Sequence, residues 1–342
     1  MASNTRYETE PLSLANKIAI VTGASRGIGA GIALELARHG AKIVITYTSP
    51  GSSKGVDELI AQINDLDNGA SAIGIQADLR QTSAAQAIVD ATLARFGPQV
   101  DILVNNAGVE LVKPLQDITT SDFSYVYDLN VRAPLLLTQA VLPHLRAPGR
   151  IINISSVGAR AGFKNLSVYC SSKAALEGLT RCWAAELGAQ GHTVNCVSPG
   201  PVQTELMDNI PKETIEMQKT TTPVQNRIGT VDDITQIVSW MASEGSRWVT
   251  GQVLSASGGW AINAFTSEHM EQEELGQVAG LTTSSVDTVQ VISKLATIDG
   301  MERRERGQQQ ESNGEKGYRQ REQNSNKKIA NKTNSSTVYG LV

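Results

Sequence analysis

Cysteine is scarce. Cys170, Cys182 and Cys196 are the only three, with no CxxC pair and no metal-type spacing to a histidine. That argues against a zinc site and a disulfide scaffold and fits a reducing compartment. Histidine is nearly as rare. His39, His144, His192 and His269 share no ligand spacing, which predicts surface or helix-end placement. A basic excess is missing too: 30 Lys and Arg face 34 Asp and Glu, a formal net charge of −4, so nothing advertises nucleic acid. No apolar stretch approaches the roughly 20 residues a membrane helix needs. The opening MASNTRYETEPLSLANK carries no apolar signal region, and the final YGLV matches no peroxisomal or retention address. A soluble cytoplasmic protein is expected.

What is present is a core. Forty per cent of the 342 residues are hydrophobic. Short β-branched runs alternate with longer amphipathic ones. Strand-like runs lie at 17–22, 41–47, 71–77, 100–106, 150–156, 192–198 and 252–256. Helix-like runs lie at 28–39, about 54–67, 82–96, 119–146, 168–188 and 231–243. Near-continuous apolar strands imply burial on both faces, hence a parallel sheet between two helical layers. Seven strands in βαβ order predict an α/β fold with a doubly wound, Rossmann-type sheet. The expected organisation is a flexible N-terminus (1–14), a single domain (15–262) and a C-terminal extension (263–342). The last stretch, 301–342, holds nine Lys or Arg against five Glu and little to bury, which predicts disorder. Cys182 and Cys196 read as small core residues, and Trp240, Trp248 and Trp260 as core or subunit-interface residues.

Residues 22–29 read TGASRGIG at the first strand-to-helix junction. Gly23 allows a tight turn, while Gly27 and Gly29 let phosphate oxygens approach the backbone at a helix N-terminus. Ser25, Arg26 and Ile28 complete the loop. No GK[ST] follows, so this is a pyrophosphate cradle rather than a mononucleotide loop. In NAD-binding units the second strand ends with an acid that grips the ribose 2′-hydroxyl. Here TYTSPGSSK (46–54) has none before Asp57. A 2′-phosphate fits instead, with Arg26 and Lys54 near it and hydroxyls such as that of Thr48 as donors. NADP(H) is predicted over NAD(H).

Tyr169 and Lys173, in YCSSK, stand at i and i+4 on one helix face. A nearby cation favours phenolate and makes a tyrosine usable as an acid–base. Thirteen residues upstream of Tyr169, strand 150–156 ends in Ser155–Ser156 at the sheet edge where open α/β folds bind ligands. There Ser156 can hydrogen-bond a substrate carbonyl.

Together these motifs resemble the short-chain dehydrogenase/reductase family, in its single-domain branch. The likeness spans about residues 15–262. It rests on TGASRGIG, Asp78–Leu79, NNAG (105–108), DLN with Asn130, ISS (154–156), YCSSK and SPGPVQT (198–204), in order. The resemblance implies that Tyr169 exchanges a proton with the substrate oxygen and that Ser156, rather than Ser155, polarises the carbonyl. Lys173 would lower the tyrosine pKa and hold the nicotinamide ribose, and Asn130 would hold a water that relays protons to Lys173. Asp78 would receive an adenine N–H and Leu79 line that pocket. Asn105 would brace the central strand beside the ribose, with Ala107 and Gly108 flanking the cofactor. Pro199, Gly200, Val202 and Thr204 would hold the carboxamide end. NVRAP departs from the pattern with Ala133 where relatives usually carry glycine. The last helix and strand form a dimer contact in such proteins, so a homo-oligomer, dimer or tetramer, is implied.

The resulting expectation is an NADPH-dependent reductase of a small-molecule ketone, in polyketide-type secondary metabolism. The segment 205–228 would close over a moderately apolar substrate. Two readings compete: a cofactor-binding sensor without turnover, and a same-fold dehydratase or epimerase that consumes no NADPH.

Overall fold

The computed structural model describes residues 13–260, except Leu206, Asp208 and Asn209, all within a unit spanning Met1–Glu268. The C-terminal extension and His269 lie outside the described residues. Of the stretch expected to be flexible, Ser13 and Leu14 already belong to the fold. Leu14 is fully buried, and its N–H donates to the His39 carbonyl at 2.9 Å.

Seven strands form one parallel sheet in the order β3-β2-β1-β4-β5-β6-β7. They are β1 (Ile18–Val21), β2 (Lys42–Tyr47), β3 (Ser71–Gln76), β4 (Val100–Asn105), β5 (Leu145–Ile154), β6 (Thr193–Pro199) and β7 (Val253–Ala256). The helices between them are α1 (Gly27–Arg38), α2 (Ser53–Asn64), α3 (Ala84–Phe96), α4 (Thr120–Tyr127), α5 (Ala133–Val141), α6 (Ser167–Leu187), α7 (Lys212–Thr220) and α8 (Val231–Ala242). The strand order reverses between β1 and β4, the switch point at which such sheets open a ligand crevice.

Every residue of β1, β4 and β6 is buried, which is why these runs read as continuously apolar. One core layer joins the sheet to α1, α2 and α8 through Ile32, Leu36, Val56, Ile63, Ile234 and Val238. The other joins it to α3, α5 and α6 through Ile88, Val89, Leu137, Val141 and Trp183. Helices α1 and α8 cross closely at Gly31, where a β-carbon would stand 2.2 Å from Val231 Cγ1.

Three expectations change. The single helix read over 119–146 is broken into α4, a π turn (Asp128–Arg132) and α5, after which the chain enters β5 at Leu145. Pro134 explains the break, because it has no N–H to give to the Asn130 carbonyl four residues back. Second, α7 falls inside the segment read as a loop; it buries no residue, so no apolar stripe marks it. Third, Cys182 is exposed rather than core. It lies on the outer face of α6, off the Leu176–Thr180–Trp183 stripe that meets the sheet. Trp240 and Trp248 are exposed at 42% and 96%, while Trp260 is buried and packed on Phe163.

His192 also departs from surface placement. It is buried, and its Nδ1 accepts the Gly149 N–H at 2.9 Å. Burial, with the Arg150 charge, pulls its pKa below 6.5. The unfolded chain therefore binds this proton first, and the contribution of neutral His192 is lost as pH falls below about 6.5. Thermal melts at pH 7.5 and 5 are expected to fall further apart for wild type than for His192→Gln, whose amide oxygen keeps the acceptor at any pH. Equal drops would show that His192 does not couple to stability.

Candidate active site

The C-terminal ends of the strands deliver every motif to one edge of the sheet. After β1 the chain turns through Gly23 (φ +62°) and Gly27 (φ +57°) into α1. A β-carbon at Gly23 would come within 2.9 Å of Ala107 Cα, and one at Gly29 within 2.5 Å of both Asn106 Nδ2 and the Gly23 carbonyl. Gly23 is required by close approach and by backbone angle, Gly27 by angle and Gly29 by close approach. The N-cap, Arg26, supplies no side-chain acceptor, so the first N–H groups of α1 remain available to an anion. The residues present fit a dinucleotide pyrophosphate.

Two residues that the motif reading passed over pin this loop. Thr22 Oγ1 accepts the N–H groups of Asn106 and Ala107 at 2.9 and 3.0 Å. Asn106 Nδ2 donates to the carbonyls of Thr22 and Gly23 at 2.8 and 3.2 Å. Their signal was their place inside TGASRGIG and NNAG. Around the loop, Gly55 at the start of α2 lies close to the Ser25 carbonyl, with 3.5 Å to a β-carbon position. Arg26 is 65% exposed and only loosely paired to Glu205 at 3.7 Å. Thr48 donates to the Ala77 carbonyl at 3.4 Å, and Lys54 pairs with Glu58 at 3.8 Å. Ile28 packs partly buried against the core.

Further along, Asp78 Oδ1 accepts the Arg80 N–H at 3.1 Å. Leu79 is buried beside Thr22, Asn105, Ala107 and Ala133. Asn105 bridges to Asn153 Oδ1 at 2.9 Å, and Asn153 reaches Thr180 on α6 at 2.8 Å, a buried polar row under the site. Beyond β6 the Gly200 N–H donates to the Ala256 carbonyl, and Val202 bridges to Gly229. Thr204 Cγ2 approaches within 3.6 Å of a β-carbon position on Gly27. The 199–204 stretch thus faces the glycine loop.

Tyr169, Lys173 and Ser156 meet where β5 ends against the first turns of α6. Desolvation pushes the Tyr169 phenol pKa up to about 12, partly offset by the Ser156 hydroxyl. Ser156 Oγ also accepts the Gly158 N–H at 3.1 Å. Ser155 is committed elsewhere: it is buried and donates to Glu177 Oε1 at 3.1 Å. Glu177, four residues after Lys173 on the same helix face, also pairs with Arg160 at 3.4 Å. Helical spacing from Tyr169 would have found it. Phe163, which no spacing indicated, packs on Trp260 and lies 3.6 Å from a β-carbon position on Gly158.

Lys173 is buried, and its Nζ donates to the Ile154 carbonyl at 2.8 Å, standing 5.9 Å from the Tyr169 ring centroid. Burial lowers its pKa to about 8. Beside it, a β-carbon at Gly108 would lie 3.2 Å from Nζ and 3.3 Å from Asn130 Oδ1. The Asn130 side chain is fully engaged: Oδ1 accepts the Val109 N–H, while Nδ2 donates to the Val109 carbonyl and Ser172 Oγ. Pro134 offers its main-chain carbonyl no donor at i+4. Among the described residues no His/Cys/Asp/Glu cluster could hold a metal, and no helix is long and apolar enough to cross a membrane.

The family model described as Enoyl-(Acyl carrier protein) reductase matches residues 23–261. The short-chain dehydrogenase/reductase FrzI of Cladobotryum sp. is 47% identical over 256 residues, covering 73% of this chain and 97% of that protein. The hydroxynaphthalene reductase-like protein Arp2 of Metarhizium brunneum is 38% identical over 265 residues, covering 74% and 97%. A blue fluorescent protein from a metagenomic library, solved in complex with NADPH, superposes with a TM-score of 0.68 at 39% identity, covering 73% and 99%. Sequence, family model and backbone agree over the region that carries the glycine loop and the Ser–Tyr–Lys group, and the chain belongs to the short-chain dehydrogenase/reductase family.

Proposed function

We propose that the protein is an NADPH-dependent ketoreductase acting on a moderately apolar, ring-bearing ketone of polyketide-type secondary metabolism. The observation that carries the reading is the grouping of Ser156, Tyr169 and Lys173 where β5 meets α6, with the Lys173 ammonium 5.9 Å from the Tyr169 ring centroid and tied to the Ile154 carbonyl. A proton donor beside a second hydroxyl is what a carbonyl oxygen needs as it becomes an alkoxide. NADPH, when bound, supplies the hydride. Ser156 and Tyr169 orient the carbonyl, and Tyr169 gives its proton to the oxygen. Lys173, with a pKa near neutrality, recharges the phenol through a water held at the Asn130 carbonyl. The Phe163–Trp260 pair beside Ser156 offers an aromatic wall to a flat substrate. The hydroxynaphthalene reductase-like relative supports an aromatic ketone. Exposed Trp240, Trp248 and Leu254 along α8 and the β7 edge support assembly into a homo-oligomer.

Cofactor choice rests on the missing acid after β2 and on Arg26, whose guanidinium is open to a 2′-phosphate. NADPH is expected to bind at least about tenfold more tightly than NADH. Arg26→Ala should weaken NADPH about tenfold and NADH little, the size of one charge-assisted hydrogen bond. Fluorescence titration of both cofactors, followed by turnover on aromatic and β-keto ketones, tests the proposal. A preference for NADH would sink the 2′-phosphate reading. Tight NADPH binding with no ketone reduced would favour the sensor reading.

A further inference from the structure

One carboxylate beside the catalytic group has no part in the steps above. The chain from Gly108 to Lys113 crosses in front of α6 and is tied down on both sides of Glu110. Behind it, the Val109 N–H and carbonyl are both held by the Asn130 side chain at 2.9 Å. Ahead, the Lys113 N–H donates to the Asn165 carbonyl at 2.8 Å, on the loop that enters α6. Glu110 is therefore fixed in place opposite the first turn of α6, where both Tyr169 and Cys170 feel its charge.

The other well-placed carboxylates of the fold have cations. Asp101 has Arg146 at 2.6 Å, Asp122 has Lys113 at 2.6 Å, Glu177 has Arg160 and Asp233 has Arg227. Glu110 makes no hydrogen bond or ion pair among the described residues, and Lys113, three residues on, is taken by Asp122. It is open to solvent, yet partial desolvation raises its carboxyl above the ordinary glutamate value. It caps no helix and bridges no elements. Its charge also opposes a phenolate at Tyr169. Such an arrangement gives the fold nothing and suits a ligand that brings its own donor.

We propose that Glu110 selects the substrate: its carboxylate accepts a hydrogen bond from a donor, an ammonium or a hydroxyl, that the ketone carries besides the carbonyl held by Ser156 and Tyr169. The substrate class is an amino- or hydroxy-ketone. This assignment rests on the ketoreductase reading and deepens it.

The test uses the full chain loaded with NADP+, in which a ketone binds without reacting. Three probes are titrated by calorimetry: 2-tetralone, 6-hydroxy-2-tetralone and 6-(aminomethyl)-2-tetralone. Wild type should bind one donor-bearing probe at least about tenfold more tightly than 2-tetralone, the size of a charge-assisted hydrogen bond. If the donor is an ammonium, both Glu110→Gln and Glu110→Ala abolish that ratio. If it is a hydroxyl, Glu110→Gln keeps part of it through its amide oxygen and Glu110→Ala loses it. A ratio that is the same in wild type and Glu110→Ala overturns the assignment. Reduction of 2-tetralone by wild type with NADPH is followed separately, so a failed ketoreductase reading is recognised apart from a failed role for Glu110.

Discussion

Tyr169→Phe is expected to lower kcat for ketone reduction about 10³-fold, within the range typical of a lost general acid, while the NADPH dissociation constant stays within about twofold. The substitution removes one oxygen and keeps the ring that closes the floor of the site. What is lost is the phenolic proton beside Ser156. The half-buried phenol has its pKa pushed up to about 12 by desolvation, so it carries its proton at physiological pH. In the oxidation direction the same phenol would first have to lose its proton against burial and against Glu110. Single-turnover absorbance with saturating NADPH separates chemistry from binding. A kcat within tenfold of wild type would show that the alkoxide takes its proton elsewhere and would remove Tyr169 from the mechanism.

The second large effect has two opposite faces. Lys173→Met should abolish detectable ketone reduction, yet raise the melting temperature of the cofactor-free protein. Lys173 is 4% exposed, and its one hydrogen bond goes to the Ile154 carbonyl. Its pKa falls from 10.5 to about 8, so the folded protein holds a charge it resists. At roughly 1.4 kcal/mol per pKa unit the penalty is about 3 kcal/mol, and losing the hydrogen bond returns about 1 kcal/mol. A net gain of about 2 kcal/mol corresponds to about 4–8 °C for a domain of this size. The sign follows from linkage. Folded and unfolded Lys173 are both protonated below about pH 8, where the penalty is full. Between about 8 and 10.5 the folded lysine has lost its proton and the unfolded one has not, so the penalty fades with rising pH. The variant's advantage should therefore shrink over the same interval. Melts at pH 7 and pH 10 measure it. A variant less stable than wild type at pH 7 would mean that the buried ammonium is held by more than the Ile154 carbonyl.

Much of this was readable from the chain alone, and the reasons are physical. Strands β1, β4 and β6 are buried on both faces, so their apolar runs were unambiguous. Gly23 and Gly29 are where backbone meets backbone, a constraint that only glycine satisfies. Tyr169 and Lys173 were found by helical periodicity, which fixes neighbours one turn apart. Helix α7 was not readable, because a helix that buries nothing leaves no stripe. The break at Pro134 was hidden inside a long apolar run. Asn130 was read as a water-holding residue, and the structure shows its amide holding Val109 and Ser172. Contacts made by folding alone, such as Ser155 to Glu177 or Phe163 to Trp260, have no signature in local spacing. Glu110 was missed for a related reason: its meaning is the absence of a partner, and partners are assigned only in three dimensions.

The segment between Met207 and Thr222 is anchored by a buried residue at each end, while α7 between them buries nothing. Its sequence is therefore almost uncoupled from the folding free energy of the domain. The acid, the hydroxyl and the lysine sit instead on β5 and α6, inside the packed layers. Substitutions along α7 are thus expected to leave the packed layers that hold Ser156, Tyr169 and Lys173 untouched, so this stretch can change its chemistry at little cost to the stability of the frame.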